Sequence, residues 1–248
     1  MDDEQLKRRA WAGMVAFQRL IGVHAPGAEL LNTDRFVASS VPGVPSSLIN
    51  AATPIDREAL APHLDEIEGF YAAIPKWGAW IDPGATEDVA PLVRRGLVLD
   101  SSPVLMAAEL DAIGEQGDAA RVERVKMHDV GAVNDAAYGY PKPVIAPTLA
   151  AFSADGLHAY GIRIGQELAS VALLIDADTD SFVTMVATVP HRRGRRLAST
   201  LLRHALREAM ERGQRTTSLQ ASKLGQGIYA RLGYRPLGEV HLYEKRPA

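Results

Sequence analysis

Residues Val186–Leu202 read VATVPHRRGRRLASTLL, and their reading decides the fold. The apolar run FVTMVATV ends in a turn bearing Pro190 and Gly194, and the turn passes directly into a helical pattern. From Arg196 to Arg212, Leu197, Leu201, Leu202, Ala205, Leu206, Ala209 and Met210 recur at steps of three and four, against Arg203, Arg207, Glu208 and Glu211. That is an amphipathic helix, ended by Gly213. A strand that feeds a helix through a tight turn leaves the first helical N–H groups unpaired and points the positive end of the helix outward. Arg192, Arg193, Arg195 and Arg196 add guanidinium donors that suit phosphate oxygens. Phosphate binding is the physical reading of the junction; the competing one is a solvated basic turn.

Outward from this stretch, the pattern alternates between periods of two and 3.6. Downstream, RTTSLQAS reads as a strand, GQGIYARLG as a short helix and PLGEVHLYEK as a last strand. Upstream, LHAYGIRIG, ELASVALLID and DSFVTMVATV predict an antiparallel meander. RVERVKM precedes it as a strand, followed by two short helices, VGAVNDAAYGYP and IAPTLAAFSA, on either side of the Tyr138-Gly139-Tyr140-Pro141 break. The N-terminal part opens with a helix over Glu4–Leu20. RFVASSV and SSLINAATPI follow as strands, then the helix REALAPHLDEIEGFYAAI, the strand WGAWI, the helix TEDVAPLVRRG and the strand LVLDSSPVLMAAEL. AIGEQGDAA, residues 112–120, is small, polar and Gly-containing, which marks a linker between domains 1–111 and 121–248. The halves share strand and helix alternation but no repeating residue pattern.

Composition narrows the chemistry. At about 150 residues per domain, 248 residues allow one large or two small domains. With 27 Lys+Arg against 30 Asp+Glu, the net charge of −3 argues against a nucleic-acid partner, although eight arginines lie between Arg192 and Arg215. The absence of cysteine excludes a disulfide framework, a thiolate metal site and a Cys nucleophile. The seven histidines are scattered singly with no HxxxH pair, so no metal is expected. There is no Gly-x-Ser-x-Gly elbow and no Walker loop. No apolar run reaches the roughly 20 residues a membrane span needs, and the acidic N-terminus has no cleavable small-residue site, so a cytoplasmic protein is expected.

Val189-Pro190-His191-Arg192-Arg193-Gly194-Arg195-Arg196-Leu197-Ala198 resembles the acetyl-CoA signature of the GNAT superfamily of N-acetyltransferases, Arg/Gln-x-x-Gly-x-Gly/Ala after a strand. Downstream, Ser222-Lys-Leu-Gly-Gln-Gly-Ile-Tyr229-Ala-Arg-Leu-Gly-Tyr234 is similar to the family's helix ending in Tyr-x-x-x-Gly-Phe. The resemblance covers residues 121–246. It implies an α/β protein with a mixed central sheet flanked by helices, and the strand order of the first half looks like a degenerate GNAT half in a tandem arrangement. Arg193 and Ala198 fit the signature; Arg196 stands where the family has Gly, a place that permits close backbone approach to a pyrophosphate.

The resemblance further implies an acyltransferase that moves acetyl from acetyl-CoA to a primary amine by direct attack in a ternary complex. On that reading Val186, Ala187 and Thr188 bond the pantetheine arm, the N–H groups of Arg193, Gly194, Arg195, Arg196, Leu197 and Ala198 hold the pyrophosphate, and Ser222 lies beside the cofactor. Tyr229 protonates the leaving thiolate, a task within reach of a phenol with an unperturbed pKa near 10. Tyr138 and Tyr140 are the candidates for the acceptor pocket. No carboxylate lies on FVTMVATV or TTSLQAS to act as base, and Glu239, His241 and Tyr160 are candidates by residue type alone. The first-half turn Asn50-Ala-Ala-Thr-Pro54-Ile-Asp-Arg-Glu58 lacks the signature spacing and carries two acids, so it is not expected to bind coenzyme A. The alternative is a catalytically weak acyl-CoA-binding or sensing module.

Overall fold

The computed structural model describes residues 1–113 and 122–247. Helix α1 (Asp3–His24) starts where the Asp2 carboxylate accepts the Gln5 N–H at 2.8 Å. Its stripe of Trp11, Met14, Phe17 and Ile21 is buried between two sheets. The first sheet contains β1 (Glu29–Asn32), β2 (Phe36–Ser40), β3 (Ala51–Pro54) and β4 (Trp77–Ile81), with α2 (Leu64–Phe70) between β3 and β4. After α3 (Val89–Arg94), the chain supplies β5 (Leu97–Ser101) to the first sheet and β6 (Val104–Glu109) to the second. The second sheet continues with β7 (Val122–Arg124), the helices α4 (Met127–Tyr138) and α5 (Ile145–Leu149), and the meander β8 (Leu157–Ile164), β9 (Glu167–Ala177) and β10 (Asp180–Thr188). Then come α6 (Leu197–Glu211), β11 (Thr216–Ala221), α7 (Gln226–Ala230) and β12 (Arg235–Glu239), while the last strand, β13 (His241–Lys245), returns to the first sheet.

The strand orders are β1-β2-β3-β4-β13-β5 and β12-β6-β11-β10-β9-β8-β7. Apart from β7 they match element by element. Each has an antiparallel meander, one parallel pair (β3 with β4, β10 with β11), then two antiparallel strands of which the inner one comes from the other half of the chain. This is an α/β protein with two mixed sheets flanked by helices, the fold that the resemblance implied.

Two segments that read as single strands each divide between the sheets. LVLDSSPVLMAAEL breaks at Pro103 into β5 and β6, and PLGEVHLYEK breaks at Val240 into β12 and β13. The breaks meet: the Val240 N–H donates to the Pro103 carbonyl at 2.9 Å. The segments therefore form one antiparallel ribbon that crosses from sheet to sheet. Glu244 of β13 is buried in the first sheet, where it accepts from Ser47 Oγ at 2.6 Å and pairs with Lys76 Nζ at 3.0 Å. Of the expected linker 112–120, residues 114–120 lie outside the described residues.

Other local expectations shift for physical reasons. In REALAPHLDEIEGFYAAI the α-helix begins only at Leu64, after a short 3₁₀ turn over Ala61–His63. SSLINAATPI forms a strand only over Ala51–Pro54, because the Asn50 N–H turns back to the Ser46 carbonyl at 2.9 Å. Strand β1, ELLN, is only four residues long with two adjacent half-buried leucines and no alternation, which gave no strand signal. On α6, Leu201, Leu202, Ala205, Leu206 and Ala209 are buried as expected, whereas Met210 is exposed. A core with α1 at its centre joins the facing sides of both sheets; α6 and α7 cover the outer side of the second sheet, and α2 and α3 that of the first.

Candidate active site

The parallel pair β10 and β11 is in register from Asp180 opposite Thr216 to Val183 opposite Leu219 and no further. Beyond Val183 the strands diverge, so Val186, Ala187 and Thr188 run beside β9 on one side and have no strand partner on the other among the described residues. The sequence-based pantetheine edge therefore lies along the opening.

At the end of β10 the chain makes a 3₁₀ turn over Pro190–Arg192 and enters α6. Gly194 has φ +77° and Arg196 has φ +60°, both left-handed. That explains the family's preference for Gly at the position of Arg196: the conformation disfavours any residue with a Cβ, by about 1 kcal/mol. The Arg196 side chain is exposed and caps nothing. The N–H groups from Gly194 to Ser199 have no acceptor among the described residues, whereas the Arg193 N–H donates to the Pro190 carbonyl at 3.2 Å. The run of free donors thus begins one residue later than the sequence-based assignment.

The four arginines divide into two pairs. Arg192 Nε bonds Glu167 at 2.8 Å, with His191 on the other oxygen at 2.8 Å, and these bonds, that to Arg192 foremost, hold the Glu167 carboxyl below its usual range. Arg193 donates to the Thr188 carbonyl at 3.2 Å and to the Ala137 carbonyl at 2.8 Å, which fastens the turn to the end of α4. Arg195 and Arg196 form no ion pair among the described residues. Two arginines build the turn, and two remain for an anion.

Tyr229, on α7, is partly buried beside Tyr234, their ring centroids 5.8 Å apart. Burial pushes its phenol well above the ordinary value, and the Tyr138 hydroxyl adds to the shift. Tyr229 thus stays protonated through neutral pH and lies within electrostatic reach of Tyr138. Tyr138 is exposed, and the nearby Tyr140 is raised by burial, by Asp135 and by Tyr138. Tyr138, a sequence-based acceptor candidate, thus lies near Tyr229. Ser222 is exposed, and its Oγ accepts the Gly225 N–H at 3.3 Å in the turn leading to α7.

The base candidates fare differently. Tyr160 is buried beneath α6, donates to Glu208 at 2.9 Å and receives Arg212 at 3.1 Å; burial and the bond to Glu208 push it up to about 12. That environment is structural. His241 and Glu239 face each other at 3.3 Å, at the junction of β12 and β13.

Two residues that no motif marked shape the site. Asp135 accepts the N–H groups of Val144, Ile145 and Ala146 at 3.0, 2.8 and 2.9 Å, which caps α5 and closes the loop carrying Tyr138 and Tyr140. Asn134 donates to the carbonyl of Met185 in β10. An Asn-Asp pair ahead of a Gly- and Pro-rich loop was the available signal. No group of three or more metal-ligating side chains occurs among the described residues, and none of their helices is long and apolar enough to cross a membrane.

The mixed sheet thus opens at its central parallel pair beside an uncapped helix start, with Arg195 and Arg196 unpaired among the described residues. Residues 127–237 match the family model described as an acetyltransferase (GNAT) domain. This region is a GNAT acetyltransferase domain. Among solved structures, the chain is similar to a GCN5-related N-acetyltransferase from Kribbella flavida, with 20% identity over 96% of both chains and a TM-score of 0.67. It is also similar to one from Sphaerobacter thermophilus, with 15% identity over 89% of this chain and 77% of the other and a TM-score of 0.59. At these identities the likeness concerns the fold, and it spans both halves. A search of curated protein sequences finds no match.

Proposed function

We propose that the protein transfers acetyl from acetyl-CoA to a primary amine by direct attack in a ternary complex. One observation carries this reading: the free N–H groups at the start of α6 lie at the end of the unpartnered β10 edge, with Arg195 and Arg196 beside them. The N–H groups from Gly194 to Ala198 suit a pyrophosphate, and Val186–Thr188 suits an extended amide-bearing arm. Ser222 flanks the same opening.

The amine lone pair attacks the thioester carbonyl carbon; the C–N bond forms and the C–S bond breaks. Tyr229 donates its proton, or first a hydrogen bond, to the departing sulfur; solvent takes the proton of the amine and returns one to the Tyr229 phenolate. The raised phenol pKa favours hydrogen bonding over full transfer in the resting site. Tyr138 and Tyr140 form a wall for the acceptor. We assign the coenzyme to segment 121–248 and a structural role to segment 1–111, and infer a cytoplasmic protein without a nucleic-acid partner or resident metal.

The test has two parts. Coenzyme A titrated calorimetrically should saturate at one site per chain. Thiol release from acetyl-CoA, followed across amino acids, polyamines, aminoglycosides and peptide N-termini, should appear only with an accepted amine. Binding without release in any case would favour the sensing module, and no binding would overturn the reading.

A further inference from the structure

Strand β10 changes face midway. Phe182 packs into the core between the sheets and Val183 into the core beneath α6. Strict alternation would send Val186 to the Phe182 side. Instead Met185, Ala187 and Val189 lie on that side, and Val186 packs into the cluster that holds Tyr229, Leu197 and Ala221. The cause is a β-bulge: Thr184 pairs with Leu173 and Ala187 with Val171, so Met185 and Val186 together oppose Ala172 of β9. Met185 has φ +50°, a conformation that disfavours every residue with a Cβ.

A bulged residue leaves the ladder, and its carbonyl needs a new partner. Asn134 of α4 supplies it: Nδ2 donates to the Met185 carbonyl at 3.0 Å and to the Val130 carbonyl of its own helix at 2.9 Å. Asn134 is only 1% exposed, so water is poorly placed to replace the amide. One side-chain nitrogen thus links α4 to the strained residue that reverses the faces of β10.

We propose that Asn134 is a positioning residue for the acyl coenzyme. By holding the Met185 carbonyl it fixes the bulge, and the bulge directs Val186 to the Tyr229 side and aligns the Val186–Thr188 edge with the opening toward β11. Without the bond, β10 relaxes toward unbulged pairing with β9, and a one-residue slip reverses every side chain beyond it. The inference rests on the reading of that edge as the coenzyme strand.

The experiment measures coenzyme A affinity by calorimetry, which needs neither acceptor nor turnover. Asn134→Ala is expected to weaken binding at least tenfold. Asn134→Asp, which keeps the shape but loses the N–H donors, is expected to do the same and stands in if the alanine variant does not fold. Adding Met185→Gly to Asn134→Ala is expected to recover at least threefold, because glycine takes a positive φ without strain. A purely structural role would lower the melting temperature and the fraction of active molecules while leaving their dissociation constant unchanged; that result overturns the proposal. Failure of the wild type to bind coenzyme A would overturn the functional reading and this inference together, whereas wild-type binding with unchanged variants would overturn this inference alone.

Discussion

The two sheets share a strand order and a parallel pair, yet their crossover turns end differently. Both turns place an arginine in the left-handed region, Arg57 at φ +61° and Arg196 at φ +60°. In the first half several of the polar groups around the crossover are met from within the chain. The buried Asp88 carboxylate accepts the Leu60 and Ala61 N–H groups at 3.0 and 2.7 Å, at the entry to α2. The Arg57 guanidinium pairs with Asp82 at 3.2 Å and with Glu4. Trp11 donates to the carbonyl of Pro54, the last residue of β3, at 2.6 Å. In the second half the N–H groups from Gly194 to Ser199 and the guanidinium groups of Arg195 and Arg196 are free among the described residues. On the proposed reading, the contrast teaches that the fold supplies the geometry of an anion site, while unsatisfied groups supply its binding. The two acids noted in the first-half turn, Asp56 and Glu58, are exposed; the closing carboxylate comes from Asp88, far along the chain.

The strongest way to break this comparison is to give the second half what the first already has. Ala198→Asp places a carboxylate at the free N–H groups and should raise the coenzyme A dissociation constant at least 100-fold, about 2.8 kcal/mol. A change below threefold in a calorimetric titration would remove the helix start from the site.

Next in size, Tyr229→Phe should leave coenzyme A affinity unchanged and lower kcat by about 10²-fold. Because burial raises this phenol, any alkaline loss of rate below about pH 10 belongs to another group and should persist in the variant. Unchanged turnover with chemistry rate-limiting would end the assignment.

Opening the first half is the converse probe. Asp88→Ala strands the buried Leu60 N–H and the part-buried Ala61 N–H and should cost about 1–3 kcal/mol in urea unfolding. Coenzyme A should still saturate at one site per chain; a second site would show that Asp88 alone kept the first half closed.

The smallest expected effect belongs to Arg196→Gly. Relief of the left-handed strain should stabilise the fold by on the order of 1 kcal/mol or less, since the more flexible unfolded chain offsets part of the gain. Coenzyme A affinity should change less than tenfold. A greater loss would make the Arg196 side chain a principal ligand and the backbone donors secondary.

Much of the candidate site's backbone was legible because its signals are local. The strand, turn and helix around Val186–Leu202, the burial stripe of α6 and the helix bearing Tyr229 lie in contiguous sequence, where periodicity and Pro and Gly placement report directly on backbone conformation. Beyond the Asn-Asp pair, nothing local marked the roles of Asn134 and Asp88, because their partners Met185 and Leu60 lie 51 and 28 residues away. The reversal of faces in β10 was equally hidden: a bulge at Met185 shifts the phase of an alternation that FVTMVATV does not display.

By itself the sequence determined that the chain is a mixed α/β protein with a phosphate-suited turn in its second half and none in its first. It also determined where helix α6 and the meander lie. Only the tertiary structure decided which sheet each strand joins, that the ribbon of β5–β6 and β12–β13 crosses between the halves at Pro103 and Val240, and which polar groups stay free. The reason is physical. A period-two pattern specifies that a strand has a buried face but not against which neighbour, and a donor is free or satisfied only with respect to groups that folding brings from elsewhere in the chain.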